Sequence, residues 1–210
     1  MDLSEEKKLW RKGYKIVVGL DESGRGPLAG PVVAAAVLID LRFKISDLRG
    51  IRDSKKLSQK KREKFYQLII QNPNITWAIG RVGPRVIDRI NIKNAAELAM
   101  ERALRNLEKK IKKRADFLII DGNHLKNLQL PTYQLKLLPK ADVKVFSCMV
   151  AGIIAKVKRD DIMKREHKRY PQYGFDQNKG YPTKFHKIQI QKHGLSVLHR
   201  LTFSPCKNFV

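Results

Sequence analysis

Acidic residues are scarce in this chain: 20 Asp and Glu stand against 44 Lys and Arg, a formal net charge of +24. Where the acids stand is therefore informative. Asp21 and Glu22 close a short β-branched stretch, Lys15–Leu20 (KIVVGL), and Asp121 closes another, Phe117–Ile120 (FLII). Asp142 precedes a long helical pattern, where a carboxylate also suits the positive end of a helix dipole. Carboxylates at such places can hold hard divalent cations, because Mg²⁺ and Mn²⁺ prefer oxygen ligands. Two such ions about 3.5–4 Å apart can activate water and stabilise the leaving oxygen of a phosphodiester. The plainer reading of a lone Asp after a strand is a turn residue or a helix cap, and Asp142 alone reads as an N-cap. Strand alternation also sends Asp21 and Glu22 to opposite faces. They converge only if the chain turns sharply between or just after them, a turn that Gly24 and Gly26 permit.

Other chemistries lack their residues. The two cysteines, Cys148 and Cys206, have no CxxC partner, so a zinc site or disulfide framework is not expected and both thiols read as free. The five histidines show no HExxH spacing and read as surface or hydrogen-bonding residues. There is no GxSxG elbow and no Walker A loop. The positive charge favours polyanion partners, since each neutralised phosphate releases counterions. The longest plain apolar run, Val32 to Ile39, has eight residues, against the roughly 20 needed to cross a bilayer. With no apolar signal core at the N-terminus, the expectation is a cytoplasmic chain without membrane association.

The elements that must position these acids alternate along the chain. Strands are predicted at Lys15–Leu20, Pro31–Ile39, Ile75–Val82, Phe117–Ile120 and Tyr133–Leu138, the first two paired antiparallel. Ser58 reads as the N-cap of a helix that Pro73 stops. From Asn94 an apolar stripe of Ala96, Ala99, Met100, Ala103 and Leu107 predicts another helix. A long helix follows Asp142; its Lys156, Lys158 and Arg159 read as a solvated face. A last helix is expected near Thr183 to His193. The pattern implies an α/β fold, a mixed central sheet flanked by helices with a small helical C-terminal extension.

Seven ordered blocks carry a family likeness. Asp21-Glu22-Ser23-Gly24-Arg25-Gly26-Pro27-Leu28-Ala29-Gly30-Pro31-Val32-Val33 closely resembles the signature of ribonuclease HII, and Asp53-Ser54-Lys55-Lys56-Leu57-Ser58 its second block. Asp121-Gly122-Asn123, Lys140-Ala141-Asp142, Ile153–Asp160, Lys179–His186 and His199–Pro205 come next in the family's order. Ribonuclease HIII, which usually carries an added platform domain, fits less well. The resemblance implies a ribonuclease H-like catalytic domain over 1–168 and a C-terminal helical extension over 169–210, packed as one unit. It implies a monomeric metal-dependent endoribonuclease. Such an enzyme cleaves RNA in RNA–DNA hybrids and incises 5′ to single ribonucleotides in duplex DNA, leaving 3′-hydroxyl and 5′-phosphate ends.

Carried over by position, Asp21, Glu22, Asp121 and Asp142 would bind Mg²⁺ or Mn²⁺, in a two-metal site. Gly24, Arg25 and Gly26 would read the 2′-hydroxyl, the group that separates RNA from DNA. Tyr181 would pack on the sugar at the junction and belongs with the catalytic set. Asp53, Ser54, Lys55, Lys56 and Lys184 would contact the nucleic acid. Three residues depart from the family pattern: Ser23 stands for alanine, Ala141 for glycine and Gly152 for serine. If the position of Ala141 takes a positive φ, alanine strains it. A basic, non-catalytic nucleic-acid-binding protein derived from such a nuclease is the alternative reading. A hydrolase or transferase for small phosphorylated metabolites ranks last, for want of a phosphate loop.

Overall fold

The computed structural model describes residues 3–48, 57–122 and 133–209. Its centre is one five-stranded mixed sheet, built from β1 (Val17–Ser23), β2 (Val32–Ile39), β3 (Ile75–Val82), β4 (Phe117–Asp121) and β5 (Gln134–Leu138). The spatial order is β3-β2-β1-β4-β5. β2 pairs antiparallel with β1 and with β3, as expected for the first pair, while β4 and β5 run parallel to β1. β2 (VVAAAVLI) is apolar at every position because helices cover both faces of the sheet.

The two faces are set by alternation. Val18 and Leu20 of β1 join Leu118 and Ile120 of β4 in a core with α3 (Pro84–Ile111). Val17 and Ile119 face the other way, against Val145 and Cys148 at the start of α5 (Phe146–His167). Parallel pairing of Leu20 with Ile120 then sets the geometry of the strand ends: Asp21 and Asp121 stand side by side, on the α5 face.

The helix signals are local where the structure bears them out. In α2 (Gln59–Gln71) the Ser58 hydroxyl accepts from the Lys61 amide at 3.3 Å, and in α7 (Lys184–His193) Thr183 accepts from the His186 amide at 3.2 Å. Helix α3 departs from the expectation. It starts at Pro84, ten residues before Asn94, with proline at its first position. It breaks at Asn91 (φ 64°, ψ 166°), whose Oδ1 accepts from the amides of Lys93 and Asn94 and so caps the second segment.

Helix α1 (Ser4–Arg11) has no counterpart among the predicted elements, because its sequence is mostly charged. Its buried Glu6 does a specific job. Oε1 accepts from both the amide and the hydroxyl of Ser147, each at 2.8 Å, in the first turn of α5. The residue at that N-cap is Val145, which offers no side-chain cap. A carboxylate from a remote helix therefore satisfies an orphan donor and faces the positive helix end.

Beyond α5, Tyr173, Phe175, Ile190 and Cys206 pack on Leu28 and Ala29 in a small separate core. Phe175 lies in α6 (Phe175–Asn178). Two histidines, His186 and His199, are buried here against each other. Both cysteines are free and buried. At the far side of the sheet the outward carbonyls of edge strand β3 are taken by α3. Arg102 donates to Arg81 at 2.8 Å, Asn106 to Ile79 at 2.9 Å and Lys110 to Trp77 at 3.4 Å. No helix among the described residues is long and apolar enough to cross a membrane.

Both buried groups make themselves felt in stability. Glu6→Ala strands the Ser147 amide in the interior, and denaturant unfolding should show a loss of about 1–3 kcal/mol. His199 gives a pH dependence. Burial first, and His186 second, push its pKa down to about 4, against about 6.5 in the unfolded chain. Unfolded chain takes up that proton as pH falls through 6.5 while the folded chain does not. His199 therefore removes about 3 kcal/mol of stability between about pH 6.5 and pH 4, and unfolding curves across that range should show a shallower slope in His199→Gln.

Candidate active site

Asp21, Asp121 and Asp142 each offer a carboxylate oxygen, and these oxygens lie within 4.8 Å of one another. Two come from neighbouring strand ends. The third comes from α4 (Ala141–Lys144), a single turn before α5. Asp142 is thus inside a short helix rather than capping the long one, which corrects the N-cap reading. The turn into α4 is made by Lys140, with φ 59°. Ala141 itself is helical and fully buried, and its amide donates to Asp121 Oδ1 at 2.6 Å. The positive φ sits one residue before the alanine, so the alanine is not strained and Asp142 is not displaced on that account.

Glu22 behaves as alternation demands. β1 does not turn between the two acids; it stays paired through Ser23, with Asp21 opposite Ala35 and Glu22 opposite Ala34. Glu22 therefore leaves the strand on the other side and is not among the three grouped acids. Being at the strand end, it still lines the same cleft, and its Oε1 accepts from Arg25 Nη1 at 3.1 Å.

The electrostatics are those of crowded anions. Burial raises the Asp21 carboxyl well above the usual range, and the charges of Glu22 and Asp121 raise it further. Burial also raises Glu22, against the opposing pull of Arg25. Nearby Cys148 is buried, its Sγ–H donating to the Ile119 carbonyl at 3.3 Å; burial and the Asp21 charge keep the thiol protonated. The donors on offer are thus hard oxygens without thiolate, which suits Mg²⁺ or Mn²⁺. A divalent cation also offsets the repulsion that raises Asp21.

Asp21 and Glu22 line a cleft of about 340 Å³. Gly24, Arg25 and Gly26 form one wall, Tyr181 another, and Arg62 and Lys156 add positive charge. Tyr181 is 39% exposed, so it is no core residue. Its ring has Lys156 Nζ at 5.6 Å and Arg159 Cζ at 5.8 Å. Ser23 and Gly152 both line the cleft, Gly152 from α5 without a side chain. Lys184 is exposed at the start of α7 and does not line it. Asp53, Ser54, Lys55 and Lys56 lie outside the described residues.

The glycine loop is held from below by two buried arginines that the sequence pattern does not single out. Arg200 donates to the carbonyls of Gly24 (2.6 Å), Arg25 (3.0 Å) and Gly30 (2.9 Å). Arg159 donates to Pro31 (3.0 Å) and Ala29 (3.1 Å). The solvated-face reading of α5 is therefore wrong for Arg159, which is fully buried. It also explains Gly24: with φ 101°, a Cβ there would run into the Arg159 guanidinium. Burial and the charge of Arg159 press the Arg200 pKa down to about 9, which leaves it charged at neutral pH. Only the block His199–Pro205 hints at Arg200; a lone arginine in a loop carries no signal of the carbonyls it will meet.

The family model described as ribonuclease HII matches residues 18–206. The chain belongs to the ribonuclease HII family. It is a ribonuclease H type 2 enzyme, an endoribonuclease acting on RNA–DNA hybrids, and divalent-metal use is expected of it. A ribonuclease HII of Desulfitobacterium hafniense is 45% identical over 203 residues, covering 97% of this chain and 74% of that one. The crystal structure of ribonuclease H2 from Pyrococcus horikoshii aligns with TM-score 0.74 and 25% identity, over 92% of this chain and 96% of that one. Bst-RNase HIII, solved in complex with Mn²⁺, has TM-score 0.71 over 91% of this chain and 68% of that one. At 21% identity it shows the shared ribonuclease H-like fold alone.

An active site made of repelling buried anions costs stability when no cation is bound. Asp21→Asn keeps Oδ1 for the Glu22 amide, 2.7 Å away, and removes the charge. In chelator-treated protein it should raise stability by on the order of 1 kcal/mol, read as a higher Tm, while hybrid cleavage is lost.

Proposed function

We propose that Asp21, Asp121 and Asp142, with Glu22 as the fourth acid, hold two hard divalent cations, and that the enzyme incises 5′ to a single ribonucleotide in duplex DNA. The observation that carries this is the approach of three carboxylates to within 4.8 Å, one of which, Asp21, lines the cleft. Two such ions would supply water activation and stabilisation of the leaving oxygen, giving 3′-hydroxyl and 5′-phosphate ends.

The remaining work falls to the chain's own groups. The Gly24–Gly26 loop presents peptide N–H and C=O groups with no Cβ over them at either glycine, which suits contact with a 2′-hydroxyl, both donor and acceptor. Its carbonyls at Gly24 and Arg25 are already committed to Arg200, which fixes the loop's shape before substrate arrives. Tyr181 offers a flat face and a hydroxyl to the sugar at the DNA–RNA junction. Arg25, Arg62 and Lys156 bring cationic groups to phosphates flanking the cut. Lys184, and by family resemblance Asp53, Ser54, Lys55 and Lys56, add further contacts to the nucleic acid. Cutting at single ribonucleotides gives the enzyme a role in clearing them from DNA.

The decisive assay uses duplex DNA with one ribonucleotide and either Mg²⁺ or Mn²⁺. A nick on the 5′ side of the ribonucleotide is expected. Cleavage of a hybrid with no nick in this duplex overturns the single-ribonucleotide reading. Asp121→Asn should lower kcat by at least about 100-fold with Kd for the duplex changed only a few-fold; unchanged turnover removes Asp121 from the site.

A further inference from the structure

Tyr181 faces the cleft with its side chain, while its backbone meets a buried pair of histidines. His186 Nδ1 lies 2.9 Å from the Tyr181 carbonyl, His186 Nε2 lies 3.1 Å from His199 Nε2, and His199 Nδ1 lies 2.9 Å from the Ser196 amide nitrogen. The two ends of this chain decide its protonation. A carbonyl only accepts, so His186 Nδ1 must carry a proton. A backbone N–H only donates, so His199 Nδ1 must be bare, and the Ser196 hydroxyl, also 2.9 Å from it, then acts as a donor to the same nitrogen. Two neutral rings then leave one arrangement in the middle, with His199 Nε2–H donating to His186 Nε2. Every donor points the same way, from Ser196 to Tyr181, and no contact is left donor against donor.

The surroundings keep the rings neutral and still. His186 is fully buried and His199 is 2% exposed. Phe175 stands edge-on to His186, with centroids 5.4 Å apart, and Tyr173 stands edge-on to His199 at 4.8 Å. A further proton on either ring would set two N–H groups against each other, and burial lowers both pKa values.

The same segment is stitched to the glycine loop. The Leu28 amide donates to the Gly180 carbonyl, Gly30 to Leu198 and Arg200 to Leu28, each at 2.8 Å. Gly180, with φ 82°, lies so close to Ala29 that a Cβ would strike the Ala29 carbonyl. One end of the cleft wall is thus fixed by Gly180, and the other side of Tyr181 is held at its carbonyl by two donors, His186 Nδ1 and the Thr183 amide, the latter at 2.8 Å.

We infer that His186 and His199 are positioning residues for Tyr181, a neutral one-directional relay that pins the Tyr181 carbonyl and sets the gap between its ring and the Gly24–Gly26 loop. The inference rests on the proposed substrate-facing role of Tyr181. The relay is read directly by long-range ¹H–¹⁵N spectra of the full chain at neutral pH. His186 is expected as the Nδ1–H tautomer and His199 as the Nε2–H tautomer; any other pair of states overturns the relay.

Function is read on the duplex with one ribonucleotide. His186→Asn places an amide nitrogen near the lost Nδ1–H and should keep kcat/KM within a few-fold. His186→Gln extends toward the Nε2 side, and His186→Leu has no donor; each should lower kcat/KM about 10-fold, the scale of one hydrogen bond. A merely space-filling histidine would rank the variants by Tm, with Asn, the smallest, among the worst; that ranking overturns the positioning role. If the Leu variant does not fold, the Asn and Gln pair makes the same comparison. Tyr181→Ala runs in parallel: unchanged kcat/KM there defeats the substrate-facing reading, while the tautomers still judge the relay.

Discussion

Three carboxylates are forced together where water is largely excluded, and the rest of the molecule is arranged around that repulsion. The sheet supplies the force. Parallel pairing of β1 with β4 leaves Asp21 and Asp121 no choice but to be neighbours on one face, and the Ala141 amide ties α4, and with it Asp142, to Asp121. A bare site of this kind is disfavoured by the low dielectric around it. Cation binding would turn that penalty into affinity, because ions would enter where like charges are already held in place. The strongly positive exterior does the complementary task, drawing a polyanion toward a patch that alone would repel it.

The glycine-loop wall of the cleft is built on the opposite principle. Arg159 and Arg200 are buried cations whose hydrogen bonds go to backbone carbonyls rather than to carboxylates. A guanidinium spreads its donors in a rigid fork, so each arginine constrains several peptide units at once. A glycine-rich loop would otherwise sample many conformations, and ordering it on binding would weaken affinity. With two such forks beneath it, the loop is in place beforehand. The cost is burial of a cation and, second to it, a pair of like charges close together, both of which lower the pKa of Arg200.

Much of this was legible from sequence where the cause is local. Ser58 announced its helix because a cap needs only the next three residues. The strand at Ile75–Val82 was bounded by Pro73 on one side and Gly83-Pro84 on the other. The divergence of Asp21 and Glu22 came from pleat geometry alone. Partnerships across the chain could not be read. Glu6 reaches Ser147 over 141 positions, and Arg200 reaches Gly24 over 176. Nothing in a charged N-terminal octet marks one glutamate as buried, and nothing in a basic helix face marks Arg159 as its interior member. The family resemblance supplied the order of the blocks; it did not supply which side chains hold them.

The row of side chains from α3 along β3 has an effect beyond this one molecule. An exposed strand edge is a template on which a second chain can lay a strand and extend the sheet. Here Arg102, Asn106 and Lys110, four residues apart on one helix, already occupy the carbonyls such a visitor would need. Two of the three are cationic, so a second copy would meet charge as well as lost acceptors. That flank of the sheet is closed to edge-to-edge aggregation by the same arginine and lysine surplus that makes the surface attractive to nucleic acid.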